Sequence, residues 1–363
     1  MTFFRKVLPK ILVAGALILF IIFAPLGLFN KIYSLNYSVN KQYKFDFSGV
    51  LTLWNVDTFE GGSVSRTAFF EKRAIEFEKE NKGVYLSVQN LSLEQLKMNL
   101  ENGKKPNIIT FGFGAGQEIK DEIIELNLET SKVRDDLLVS GKLDGKLKAV
   151  PIILGGYSLI LNKEKLSGED IIETLKTNNS KIIFSSQDLI NPLLPLVLKD
   201  VNLSNQEIEN VDSYDAYDKF INEKYNAIVG TQRDLFRCKN RENNLKMQCE
   251  YNFLGGFSDL IQYASIFPCE ENALNMSKKF VEYLISEKVQ EKLEHINMYP
   301  VINKNIYTDD FYNRFNQNLL KPLKTLNAFL STDKIENLKE LSKDFVLLGK
   351  TENKSEILKY ING

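Results

Sequence analysis

Between Gly49 and Gly116 the chain alternates short apolar runs with amphipathic stretches, and this rhythm restricts the fold more than any other feature. VLTLWN (50–55) reads as a strand. Residues 66–81 place Phe69, Phe70, Ala74 and Phe77 on one face of a helix. VYLSVQ (84–89) is the next strand. Ser92, with Gln95 three residues on, forms a capping box for a helix that carries Leu93, Leu96 and Leu100 on one side. Asn102-Gly103 ends that helix, and NIITF (107–111) is a third strand closed by GFGAG (112–116). Strand–helix–strand–helix–strand with short loops predicts an α/β fold with a parallel sheet.

Open α/β sheets bind ligands at the carboxyl ends of their strands. The loop after the first strand holds Asp57, Glu60, Gly61, Gly62, Ser63, Ser65 and Arg66 at that position. Two readings fit: a ligand site that uses the free N–H groups at the start of the next helix, or a capped helix whose ion pair fixes the loop. Gly112 and Gly114 suit a sharp turn that lets backbone approach a ligand. A second polar cluster is GTQRDLFR (230–237), with Thr231, Gln232, Arg233, Asp234 and Arg237 at a strand end. Arginine forks and carboxylates grip vicinal hydroxyls or a carboxylate, and they also make interlobe ion pairs. A third comprises Gly155, Gly156 and Tyr157 with Ser258, Asp259, Gln262 and Tyr263. Aromatic faces beside polar groups suit flat amphipathic ligands such as sugar rings, and Trp54, the only tryptophan, is either a further platform or a core residue.

The residues that are missing narrow the chemistry. His295 is the only histidine and lies in an amphipathic helical pattern, which disfavours a Ser-His-Asp triad or a histidine-rich metal site. No Gly-x-Ser-x-Gly or Walker pattern occurs, and no Cys-x-x-Cys or His-rich cluster points to a metal, so neither metal nor cofactor is expected. Asp57, Glu60, Asp234 and Asp259 leave open an acid–base pair for glycoside cleavage. With 46 Lys+Arg against 47 Asp+Glu, the net charge of -1 gives no general field for nucleic acid, and none is expected as a partner. Cys238 and Cys249 either bridge a hairpin or stay as packed thiols, and Cys269 is the odd one out.

A length of 363 residues suits two lobes. Residues 11–29 are uncharged and follow Arg5, Lys6 and Lys10, so we expect a membrane helix with the rest of the chain outside the cytoplasm. The end of the run carries neither a small-x-small cleavage pattern nor a lipid-accepting cysteine, which favours a retained anchor over a cleaved signal. The expected organisation is an anchor over 1–30, a spacer over 31–48 and a first lobe beginning at 49–150. A second lobe spans 151–254, and residues 255–363 return and complete both lobes. KIIFSS (181–186) and NAIVGT (226–231) read as later strands, with a helical stretch near 213–223 between them. Residues 273–296 and about 312–348 read as helices.

Taken in order, LTLWNVDTFEGGSVSRTAFFEKRAIEFEKEN, KKPNIITFGFG, LKAVPIILGGYSLILNKEKL and FVEYLISEKVQEKLEHINMYPV resemble the family 1 extracellular solute-binding proteins of bacterial ABC importers. That group contains the maltose-binding proteins. Asn107 stands where Asp is usual, and Asn297 and Met298 stand near the usual glycine. The resemblance implies a two-lobed periplasmic-binding-protein-like fold of type II with an interlobe hinge, behind one N-terminal transmembrane helix. It further implies a monomeric, non-enzymatic protein that closes on a small polar solute, a carbohydrate, and presents it to ABC permease subunits. The alternatives kept are a ligand-sensing domain for another membrane partner and a secreted glycosidase.

Overall fold

Each strand expected from the sequence forms, and the computed structural model shows how they join. It describes Val13 and residues 47–166, 171–177, 180–186 and 189–362. Residues 1–48 are a unit separate from 49–363. The expected membrane segment and spacer lie, but for Val13, Phe47 and Ser48, outside the described residues. Among the described residues no helix is long and apolar enough to cross a membrane.

The chain runs through β1 (Gly49–Val56), α1 (Arg66–Glu80), β2 (Val84–Leu91), α2 (Leu93–Glu101) and β3 (Ile108–Gly112). Then come β4 (Val150–Leu154), β5 (Tyr157–Asn162), β6 (Lys181–Ser186), β7 (Glu207–Asp212) and α3 (Ser213–Ile221). They are followed by β8 (Ala227–Thr231), α4 (Gln232–Asn240), β9 (Cys249–Leu254) and β10 (Ile261–Ile266). The last long helices are α5 (Glu271–Leu284), α6 (Asp310–Leu319) and α7 (Thr332–Leu348).

Two five-stranded sheets result, ordered β2-β1-β3-β10-β4 and β9-β5-β8-β6-β7. β1 pairs in parallel with β2 and β3, as the alternation predicts. The returning β10 then adds antiparallel to both β3 and β4. The chain leaves the first sheet and enters the second at Gly155-Gly156, between β4 and β5. A Cβ on Gly156 would lie 2.7 Å from Leu319 Cδ2, so a larger residue there would push the Leu319 and Phe315 side chains of α6 aside.

Side-chain period and packing explain the layers. α1 buries Phe69, Phe70, Ala74 and Phe77, and Phe77 meets Phe280 of α5 edge-on with ring centroids 5.1 Å apart. Burying each of these phenylalanines contributes roughly 1.5–3 kcal/mol. β3 sits inside its sheet and is buried at every residue.

Two helix expectations change, and one strand end gains a helix. The helix read over 273–296 stops at Leu284 and continues as two short turns. Ser286 breaks it by returning its hydroxyl to the Tyr283 carbonyl (2.6 Å), while Gln290 donates to the Leu284 carbonyl (2.9 Å). The helix read over 312–348 is two helices, and Pro322, which lacks an N–H, lies in the break. GTQRDLFR ends its strand as expected at Thr231, but the strand turns there directly into α4, which begins at Gln232.

Candidate functional site

The loop between β1 and α1 is held from both ends. Ser65 caps α1 by accepting the Ala68 N–H (3.4 Å). The Ser63 N–H donates to the Ile296 carbonyl (3.1 Å). Gly62 packs so tightly there that a Cβ would lie 1.9 Å from the same oxygen. Arg66, the first residue of α1, is 2% exposed. Its Nε lies 2.9 Å from Asp57 Oδ1, its Nη2 donates to the Phe59 carbonyl, and its guanidinium sits 4.0 Å over the Phe59 ring. Its Nη1 has no hydrogen-bond partner among the described residues. Burial pulls the Arg66 pKa below its ordinary value, and Asp57 opposes the shift.

The ion-pair reading of this loop holds. The Asp57–Arg66 pair fixes the backbone, and the fixed backbone lines a cavity of about 750 Å³. Asp57, Glu60, Gly61, Ser63 and Arg66 face it, with Thr58, Phe59, Val64, Ser65 and Leu93. The far wall is Leu189 and Arg233, from the segment after β6 and from α4. Arg233 Nε lies 2.9 Å from Glu60 Oε2, and Arg237 Nη2 approaches the same oxygen at 3.5 Å. The first sheet's loop and the second sheet's helix are thus joined by charge across the cavity mouth.

The rest of the second cluster supports Arg233. Thr231 caps α4, accepting the Arg233 N–H at its hydroxyl (3.2 Å), while Asp234 Oδ2 accepts the Thr231 N–H (3.0 Å). Asp234 is fully buried, and burial raises its pKa to about 6 against the pull of Ser185, Thr231 and Arg237. Gln232 is also buried and ties the crossover to the C-terminal turn. Its Oε1 accepts the Gly156 N–H (3.0 Å), and its Nε2 faces Met298 Sδ at 3.4 Å.

The third cluster is assembled, but as a buried junction and not as an aromatic platform. The Tyr157 hydroxyl donates to Asp259 Oδ1 (2.6 Å), and the Asn191 N–H donates to Oδ2 (2.9 Å). Burial lifts the Asp259 pKa to about 6 and the Tyr157 pKa well above its ordinary value. Gln262 donates to Asn55 Oδ1 (2.9 Å), which also accepts from Thr110 (2.9 Å). Tyr263 stacks on Phe111 and donates to Ser140 (2.9 Å). Trp54, Tyr157 and Tyr263 are 6%, 0% and 1% exposed, so none of these rings offers a face to the cavity. All three lie on strands inside their sheets, between two paired neighbours, where packing on both faces leaves no ring exposed.

Gly112 and Gly114 work at close approach, though neither lines the cavity. A Cβ on Gly112 would meet Thr58 Oγ1 at 2.2 Å, and one on Gly114, at φ 91°, would meet Leu189 Cδ1 at 2.9 Å. Of the carboxylates considered for hydrolysis, Asp57 and Glu60 line the cavity, each against arginine, while Asp234 and Asp259 are buried away from it. His295 is exposed. In the sequence Leu93 reads only as part of a helix face, and Leu189 and Asn191 lie outside every sequence motif. Leu93 directly follows the Ser92 cap and was legible as a helix start facing the same strand ends. Leu189 and Asn191 carry no local signal.

No family model matches the chain, and no curated protein matches it. Solved structures do. The GacH receptor of Streptomyces glaucescens, known unliganded and with acarbose, is 16% identical with a TM-score of 0.62 over 86% of this chain and 98% of the receptor. The sugar-binding protein MalE of Xanthomonas citri is 13% identical with a TM-score of 0.63, over 86% and 96%. Maltose-bound MalE3 of T. maritima is 10% identical with a TM-score of 0.59, over 85% and 99%. The chain has the two-lobed, α/β, periplasmic-binding-protein-like fold that these sugar-binding proteins share.

Proposed function

We propose that this chain is an extracytoplasmic solute-binding protein, tethered by residues 11–29, that captures a small carbohydrate and delivers it to ABC permease subunits. The observation that carries this is the cavity of about 750 Å³ walled by the 57–66 loop on one side and by Arg233 and Leu189 on the other. Only a closed arrangement brings these walls to one solute, so the solute favours closure by its differential affinity for that state. The carboxylates, hydroxyls and guanidinium groups of Asp57, Glu60, Ser63, Arg66 and Arg233 suit a polyhydroxylated molecule. The buried Tyr157–Asp259–Asn191 junction lies where the chain crosses between sheets, and serves as the hinge that closure turns on. GacH with acarbose and MalE3 with maltose have the same fold, which supports a sugar over an amino acid or peptide.

The test is a binding screen on the full chain in detergent, read by thermal shift and by Trp54 fluorescence, against mono- and oligosaccharides, polyols, amino acids and peptides. A saturable rise in melting temperature with one carbohydrate class is expected. A cooperatively melting protein that responds to no carbohydrate in the panel would refute the assignment. Retention of the tether is checked by the intact mass of membrane-extracted protein, which should include residues 1–30.

A further inference from the structure

Cys238 and Cys249 lie outside the cavity, and the binding reading makes no use of them. Cys238 is on α4 and fully buried in a cluster with Ile160, Ile228, Tyr217 and Met247. Cys249 opens β9, the edge strand of the second sheet, and packs against that cluster together with Tyr251. Residues two apart on a strand share a face, so Cys249 and Tyr251 both look towards α4. We propose that Cys238 and Cys249 are an oxidisable dithiol whose disulfide fastens α4 to β9.

Cys249 packs against the cluster that contains Cys238, which brings the two side chains onto one face of the junction between α4 and β9. Their environments also divide the work. Cys249 is half-buried and borders a surface cavity of about 580 Å³. The hydrogen bond from Cys238 holds the Cys249 thiol below its ordinary pKa, whereas that contact and burial push the Cys238 thiol up. Cys249 is therefore the attacking sulfur. Its thiolate attacks one sulfur of an oxidant disulfide, such as oxidised glutathione, and expels the other as a thiolate. That thiolate takes the Cys238 proton, and the Cys238 sulfur then displaces the second oxidant thiolate from Cys249. The pair loses two electrons and two protons, and the oxidant leaves as two thiols. The consequence reaches the cavity, because α4 also carries Arg233 and Arg237.

The full chain, purified reduced, would be treated with oxidised glutathione, alkylated and digested without reductant. One linked peptide joining Cys238 to Cys249 is expected, lighter by two hydrogens than its reduced parts, with Cys269 alkylated. The oxidised protein should melt roughly 3–5 °C above the reduced form. Cys249→Ser should abolish both the linked peptide and the shift, while Cys269→Ser should preserve both. Alkylation of Cys238 and Cys249 after oxidation of the folded protein, or a linked peptide containing Cys269, would overturn the proposal. So would a full melting shift in Cys249→Ser.

Discussion

Glu60 and Arg233, on opposite walls of one cavity, lie 2.9 Å apart between carboxylate oxygen and guanidinium Nε. Each side chain is about a third exposed, 31% and 34%, so water screens the pair and its contribution to stability is about 1 kcal/mol or less. Its importance lies in position. Under the proposed function, a solute entering between the walls must share or replace this contact. Arg233→Ala should therefore weaken carbohydrate binding roughly 10- to 100-fold in a protein that melts as before. Titration of wild type and variant checks this, and unchanged affinity would remove Arg233 from the site.

Glu60→Gln tests the same link without solute. The variant loses the ion pairs to Arg233 and Arg237, so the ligand-free protein should open more readily. Small-angle scattering should give a larger radius of gyration for the variant alone and equal values once solute saturates both. Identical ligand-free curves would show that this contact does not hold the cavity walls together.

Arg66 is a different case, because its side chain is only 1% exposed. Arg66→Ala strips Asp57 and the Phe59 carbonyl of their partner and leaves a void beneath the Phe59 ring. Unfolding in urea should show a loss of about 2–4 kcal/mol. Asp57→Asn, which keeps a hydrogen-bond acceptor, should cost less than half as much.

Gly62→Ala probes how the loop is placed. The added methyl would meet the Ile296 carbonyl at 1.9 Å, so the loop must move away from the C-terminal turn. A destabilisation of about 1–3 kcal/mol is expected, with weaker solute binding. Gly61→Ala is the control, since its nearest neighbours would be Arg66 side-chain atoms at 3.6 Å.

Asp234 and Asp259 make stability depend on pH in an unusual sense. Burial raises both to about 6 from an ordinary 3.8, so the folded protein binds protons that the unfolded chain does not. Their contribution is full below the unfolded value and is lost as pH rises through about 6. From pH 7 down towards 4, these two groups should add roughly 1–3 kcal/mol each. Asp234→Asn and Asp259→Asn, compared with wild type by urea unfolding across that range, should each flatten part of the slope. A wild-type profile matched by both variants would mean the carboxyls do not titrate there.

The sequence signals that proved legible were periodic or local. The 3.6-residue spacing of Phe70, Ala74 and Phe77 located α1, and Ser92 with Gln95 located the start of α2. Asp57, Glu60, Ser63 and Arg66 were readable as a group because one loop carries them all. Arg233 was recognised beside a strand end, although Thr231 turns that end directly into a helix cap. The aromatic residues misled. Tyr157 and Tyr263 sit next to polar neighbours in sequence, but tertiary packing covers both rings and directs their hydroxyls to Asp259 and Ser140. Leu189 reaches the cavity only through the arrangement of the two sheets, which no local pattern encodes.

The interleaving of the sheets also bears on how the chain folds as it is made. β3 finds one neighbour in β1, but its other neighbour, β10, is synthesised only after every strand of the second sheet. The second sheet is built from one continuous stretch, β5 to β9, and can assemble as soon as that stretch is available. The first must wait with an open edge, since loop closure over such a span is slow. The sheet that begins first is therefore completed last, and a nascent chain halted before Ile261 exposes β3 as an unpaired edge prone to aggregation.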